Sequence, residues 1–327
     1  MNRVALLAPA VLCLVLACHT GKPGEDGQTR QLTVGIQNSP SNALVIIASR
    51  LHFFDSTKAT ISIKEFSAGK LALQSMLGQA GDLDVAVCAE TPVVLSSLGN
   101  NKFKVFTQIV RANNECRVVV RKDKKADSPG AYFSTKRKLA TSQGGSPEWF
   151  TYEFIKKFNL DAGKIDIIAM LPENMPVALS NGAVDGISIF DPYARIGERE
   201  LGDKGLTFTN PDIVSYYVMT ARENVLTAKE DAFEELLTGL AKAQDYCKVH
   251  PAEAMQIVAD QTHLDIGIVR ETWPNYSFSL GLDSSFTGLC REEAGWAIAT
   301  GKYPQGTALP DFGALLYLSL LQKKGIH

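Results

Sequence analysis

The chain is poor in the residues that most simply mark a catalytic or metal centre. Histidine occurs five times in 327 residues. His19 and His327 lie near the two ends, and His250 and His263 have no partner at a metal-ligand spacing. Six cysteines are scattered with no CxxC pair, which leaves no zinc-type spacing. GxSxG and Walker A patterns are absent. No excess of positive charge is present either: the formal net charge is −2, so there is no electrostatic footprint for nucleic acid. The local basic clusters, Arg121 to Lys125 and Lys136 to Lys138, read as solvated faces. A long apolar span is missing, because the Val4–Val15 run is about a dozen residues and too short to cross a bilayer comfortably. What the chain does have is 45% hydrophobic and 21% charged residues, enough for a sizeable core.

The first residues read as an export signal rather than as part of the fold. A weakly basic start, Met1 to Arg3, precedes the apolar run, which ends in Leu16-Ala17-Cys18. Small residues just before a Cys resemble the bacterial lipobox. That resemblance implies a signal peptide over 1–17, cleavage before Cys18 and a lipid on its thiol. Residues 18–30 then read as a flexible tether. Cys88, Cys116, Cys247 and Cys290 remain, and their pairing is open.

The mature chain carries one pattern twice. In the first copy, strands start near Leu32, Ile61 and Val85, spaced about 29 and 24 residues apart. In the second they start near Leu139, Ile165 and Gly186, spaced about 26 and 21. Helix-like segments separate them. Each copy also repeats a local phrase, Ala72-Leu73 with Gly81-Asp82-Leu83-Asp84 and Ala178-Leu179 with Gly182-Ala183-Val184-Asp185. The glycines suit a helix end at positive φ. Two βαβαβ units predict an α/β protein of two lobes, each a mainly parallel sheet flanked by helices. The runs Val105 to Arg121 and Ile213 to Ala221 predict two crossings that form the hinge. Lobe 1 is then 31–115 plus 222–327, and lobe 2 is 116–221. Helices are expected over Ala232–Val249, Pro251–Thr262, Trp296–Thr300 and Phe312–Lys323.

Ligands of open α/β sheets bind beyond the carboxyl ends of strands, where helix N-termini present free N–H groups. The candidates in lobe 1 are Asn38, Ser39, Ser41, Ser67, Gly69, Glu90 and Thr91, with Asn113 near the first crossing. In lobe 2 they are Gly145, Ser146, Glu148, Trp149, Glu173, Phe190 and Asp191. Gly145-Ser146 leads: glycine lets backbone approach a ligand, serine donates a hydroxyl, and Pro147 suits a first helical turn. Trp149 and Phe190 are candidates for stacking. Lys70 reads as solvent-facing. No metal or cofactor is expected.

These residues together resemble the periplasmic-binding-protein-like proteins of sulfonate, taurine, nitrate and thiamine-precursor importers. The resemblance rests on Leu32-Thr33-Val34-Gly35-Ile36, Phe66-Ser67-Ala68-Gly69, the Gly81 to Asp84 phrase and Glu90-Thr91-Pro92. It continues through Gly145-Ser146-Pro147-Glu148, the Ala178 to Asp185 phrase and Asp191-Pro192, and covers about Gln31 to Pro251. It implies a type II two-lobed fold and a monomeric, extracytoplasmic, lipid-anchored protein. Such a protein holds a small molecule between its lobes and hands it to an ABC permease and its ATPase, without catalysis. Asp123 to Ser134 departs from the pattern as an inserted loop, and Phe190 stands where many relatives have Trp. Acidic groups in the candidate loops keep a zwitterion or a pyrimidine-like heterocycle open beside a sulfonate. An enzyme or a ligand sensor on the same fold is the alternative.

Overall fold

A computed structural model describes residues 31–56, 58–78, 81–123 and 126–326. The expectations for the signal, Cys18 and the tether lie outside the described residues. Lobe 1 begins with β1 (Gln31–Gln37), α1 (Ala43–Arg50), β2 (Thr60–Phe66), α2 (Gly69–Leu77), β3 (Val85–Ala89), α3 (Glu90–Leu98) and β4 (Lys104–Asn113). Lobe 2 follows with β5 (Arg117–Arg121), α4 (Pro129–Tyr132), β6 (Arg137–Thr141), α5 (Ser146–Lys157) and β7 (Ile165–Ala169). It is completed by α6 (Met175–Ser180), β8 (Gly186–Ile189), α7 (Tyr193–Leu201) and β9 (Gly205–Thr209). The chain returns through β10 (Val214–Ala221), α8 (Glu223–Ala228), α9 (Glu230–Val249), α10 (Pro251–Thr262) and α11 (Ile266–Thr272). The last elements are β11 (Tyr276–Gly281), α12 (Ser284–Ala299) and α13 (Ser319–Lys323).

The repeat is real in space. Lobe 1 has the strand order β11-β4-β10-β3-β1-β2, and lobe 2 has β7-β6-β8-β5-β9. In each, the first strand of the copy lies between the second and third, all parallel. Central strands β3 and β8 are buried along their whole length, as strands covered on both faces must be. The echoed aspartates have one job in both lobes. Asp84 Oδ2 accepts from the Thr33 amide at 3.0 Å, and Asp185 Oδ2 accepts from the Lys138 amide at 2.7 Å. Each also returns its own amide to the carbonyl of the same residue. The aspartate thus clamps the first strand of its copy beside the third.

Three expectations need correction. The sheets are mixed, not mainly parallel, because the strands at each crossing run antiparallel to β3 and β8. The Val214–Ala221 run belongs to lobe 1, not lobe 2: β10 pairs with β3 and β4, so the return crossing falls just before it, at 210–213. Finally, Phe312–Lys323 is not one helix. The Val105 amide donates to the Leu315 carbonyl at 2.9 Å and Tyr317 donates back to Val105 at 2.8 Å, which holds that stretch extended and leaves only α13 helical. The Trp296–Thr300 piece is the end of the 16-residue α12. Residues 126–134 contribute to the core, with Tyr132 buried edge-on against Phe133 and Phe208.

Each lobe has its own apolar core, and a third cluster runs across the seam. Trp149 of α5 packs edge-on against Trp296 of α12, with ring centroids 5.4 Å apart. Lys302 beyond α12 pairs with Glu148 of α5. Lys70 Nζ of α2 donates to the Gln143 carbonyl of lobe 2 at 2.6 Å. On the hinge side, Arg199 of α7 meets Asp265 at 2.7 Å and Glu271 at 2.8 Å. The lobes are therefore closed. None of the described helices is long and apolar enough to cross a membrane.

Candidate functional site

Between the lobes lies a small, partly open cleft with about 30 Å³ of water-accessible space. Its wall comes from the carboxyl ends of the repeated strands. Lobe 1 supplies Gln37 at the end of β1, Asn42 before α1, Ala68, Gly69 and Lys70 at the start of α2, and Val87, Ala89 and Pro92 around the β3–α3 junction. Lobe 2 supplies Ser142, Gly145, Ser146 and Pro147 after β6, and Phe190 after β8. Tyr217 enters from β10.

Three helices begin on this wall. The residues before α2, α3 and α5 are Ala68, Ala89 and Gly145, none of which makes a side-chain capping bond. The first N–H groups of a helix have no partner inside it, and a helix end favours negative charge by roughly 0.3–1 kcal/mol. Leaving three such ends uncapped at one cavity makes a donor surface suited to an anion. Gly69 is needed for the approach: a Cβ there would sit 2.9 Å from the Cys88 Cα and the Val87 carbonyl. Lys70 adds a cation. Burial lowers its pKa, and Glu148 nearby partly offsets this. Asn42 holds the Gln37 carbonyl through Nδ2 at 2.9 Å, while its buried Oδ1 has no partner. Phe190, Val87 and Pro92 supply apolar wall.

Of the candidates named from sequence, Gly69, Gly145, Ser146 and Phe190 line the cavity. The others lie elsewhere. Ser39 and Ser41 are buried and bond one another at 2.7 Å, and Asn38 donates to the Gln261 carbonyl. Ser67 is exposed beside a neighbouring cleft. Asn113 and Glu173 are exposed, at the end of β4 and in a turn before α6. Trp149 serves the lobe seam. The acidic candidates are turned away from the cavity. Glu90 accepts from the Tyr216 amide at 2.7 Å, and burial pushes it up to about 7. It lies against Glu293, a second buried acid whose proton affinity is also raised by burial and then by Glu90; Thr91 faces that acid. Glu148 accepts from the Gly144 amide at 2.7 Å and pairs with Lys302. Asp191 is fully buried on Arg117 and accepts from Asn275 at 3.1 Å.

Sequence reasoning missed Ser142 and Tyr217, offered Gln37 and Asn42 only as the ends of the lobe 1 loop Gln37 to Asn42, and read Lys70 as solvent-facing. Gln37 and Ser142 carried a signal, since each ends or follows the first strand of a copy. Tyr217 carried none, because it reaches the cavity only through the antiparallel return of β10. All four cysteines among the described residues are free and buried. No group of three or more potential metal ligands occurs among the described residues.

Two lobes, each with a β2-β1-β3-type parallel core, closing on a cavity of helix N-termini define the fold of the two-lobed periplasmic binding proteins. The chain belongs to the NMT1-like family, whose model matches residues 25–261. A Bacillus subtilis (strain 168) protein named for binding aliphatic sulfonates is 25% identical over 284 residues, covering 84% of this chain and 83% of that protein. The alkanesulfonate-binding protein SsuA of Xanthomonas axonopodis pv. citri, solved bound to MOPS, superposes with a TM-score of 0.75 at 16% identity. That match covers 89% of this chain and 99% of the other. The fold also accommodates catalysis: the desulfurization enzyme DSZB matches with a TM-score of 0.62 at 13% identity over 90% of this chain and 98% of its own.

Proposed function

We propose that this chain is the extracytoplasmic solute-binding subunit of an ABC importer, and that it takes a small organic anion of the sulfonate type into the interlobe cavity. One observation carries the reading: three helix N-termini with no side-chain cap from the preceding residue converge with Lys70 on the cleft, while Glu90, Glu148 and Asp191 are not on its wall and are held by the Tyr216 amide, by the Gly144 amide with Lys302, and by Arg117. The acidic loops that kept a cationic or zwitterionic ligand open thus do not oppose an anion. The apolar wall suits a short organic tail. The names of the sulfonate-binding relatives support the same class. In this role the ligand bridges the lobes and stabilises the closed form by its differential affinity for it. The closed form then docks on a permease with its ATPase.

The test is a thermal-shift and calorimetric screen of the mature chain against methanesulfonate, ethanesulfonate, taurine and nitrate. At least one sulfonate is expected to stabilise it, by about 2.7 kcal/mol at a hundredfold excess over Kd. No response to any member, or consumption of the bound sulfonate, would overturn the reading.

We also propose that a lipid on Cys18 holds the protein at the membrane, on the strength of the Leu16-Ala17-Cys18 ending. Cells fed a radiolabelled fatty acid should label the wild-type chain and not Cys18→Ala. Equal labelling of the two removes the anchor.

A further inference from the structure

Tyr217 stands between the cavity and a buried acid that the binding reading leaves unused. It lines the cavity from β10, and its hydroxyl donates to Glu115 Oε2 at 2.9 Å. Glu115 sits in the first lobe crossing, between β4 and β5, and is 1% exposed. Its other oxygen, Oε1, is buried, and the Ser215 hydroxyl also faces the acid. The groups facing it are Ser215 and Tyr217 from β10, Glu90 from α3, Asp191 from the turn after β8 and Tyr276 from β11, with Cys116 next to it in the chain and Arg117 at the start of β5. The sole cation among them, Arg117, is committed to Asp191 and to Glu198 at 3.1 Å. A charged Glu115 therefore has no counter-ion of its own in a buried site. Burial pushes it up to about 8; Ser215 pulls it down, Glu90 pushes it up, Tyr217 pulls it down and Asp191 pushes it up.

A tyrosine hydroxyl has one proton to donate. With Glu115 ionised, that proton is spent on the carboxylate, and Tyr217 has only lone pairs left for the cavity. With Glu115 protonated, the acid donates to the phenol oxygen, and the Tyr217 O–H is free to turn to a bound anion. We propose that Glu115 and Tyr217 form a proton-coupled switch in which anion binding in alkaline solution, where Glu115 is ionised, is accompanied by uptake of a proton from solvent onto Glu115. This rests on the anion reading of the cavity. Glu115 is a positioning residue here, because it acts through Tyr217. The sign follows from linkage: a ligand that favours the protonated form binds with constant affinity below the acid's pKa and loses about tenfold per pH unit above it.

Ethanesulfonate is the probe, since it stays anionic throughout. Its Kd for the mature protein is measured by calorimetry from pH 6 to 9.5, for wild type, Glu115→Gln and Tyr217→Phe. Lys70 is present in all three, so any loss from its titration is common to them. The wild-type affinity should hold to about pH 8 and then fall about tenfold per unit more steeply than in either variant. Glu115→Gln, a permanent donor, should keep the neutral-pH affinity; Tyr217→Phe should be weaker at every pH. Calorimetry of the wild type at pH 8.5 in two buffers of different ionisation enthalpy should show proton uptake, and this arm needs no variant to fold. A Glu115→Gln profile as steep as wild type, or no proton uptake at pH 8.5, overturns the switch while leaving the anion site intact. Absence of ethanesulfonate binding at every pH removes both.

Discussion

Arg117→Met is expected to destabilise the protein by about 3–5 kcal/mol. The guanidinium is 5% exposed and bonds Asp191, whose side chain is fully buried, and it reaches Glu198 at 3.1 Å. It also donates to the Asn114 carbonyl at 2.9 Å, at the turn where the chain crosses between lobes. Burial opposes its charge, and Asp191 and then Glu198 more than restore it. Removing the cation leaves Asp191 with Asn275 as its remaining side-chain donor and only the more distant Arg195 to offset its charge. Breaking one half of a buried pair costs more than replacing both halves with neutral groups of similar size. The double variant Arg117→Met/Asp191→Asn should therefore recover most of the loss. Urea denaturation of the three variants measures it. A single-variant cost below about 1 kcal/mol, or a double variant no better than the single, would show that the pair does not hold the hinge.

Lys70→Met is expected to weaken sulfonate binding by about 10- to 150-fold, the value of a charge-assisted hydrogen bond of about 1.5–3 kcal/mol. Two effects combine. The lysine is the cation on the cavity wall, and its bond to the Gln143 carbonyl ties α2 to lobe 2. Methionine keeps the length and the apolar stem, so the packing of α2 against β3 should survive. Stability without ligand is expected to change little, because the side chain is only half-buried. Titration with ethanesulfonate, together with melting without ligand, separates affinity from folding. Unchanged affinity would take Lys70 out of the site and weaken the anion reading with it.

Much of the lobe architecture was legible because it is local. Strand starts at βαβ spacing, glycines at helix ends and the repeated aspartates are short-range patterns, and the clamps of Asp84 and Asp185 show why the phrase recurs. Gly145-Ser146 was legible for the same reason: a glycine before a Ser-Pro helix start, after the first strand of a copy, reaches the cavity by topology alone. Glu90, Glu148 and Asp191 sit beside that cavity in sequence yet not on it. Which way a carboxylate turns depends on where donors lie, and theirs are the Tyr216 amide, the Gly144 amide with Lys302, and Arg117. Of these, only Gly144 and Glu148 are close neighbours in the chain.

By itself the sequence determined that two copies of a strand–helix unit form an α/β pair of lobes whose helix starts face one another. Periodicity and turn chemistry act over a few residues and need no partner. Tertiary structure decided the rest. The return of β10 into lobe 1 placed Tyr217 in the cavity and Glu115 behind it, 102 residues apart in the chain. It also buried the acids on remote donors, so that a loop region rich in carboxylates encloses a cavity of hydrogen-bond donors. Burial and long-range pairing set both outcomes, and neither has a short-range signature.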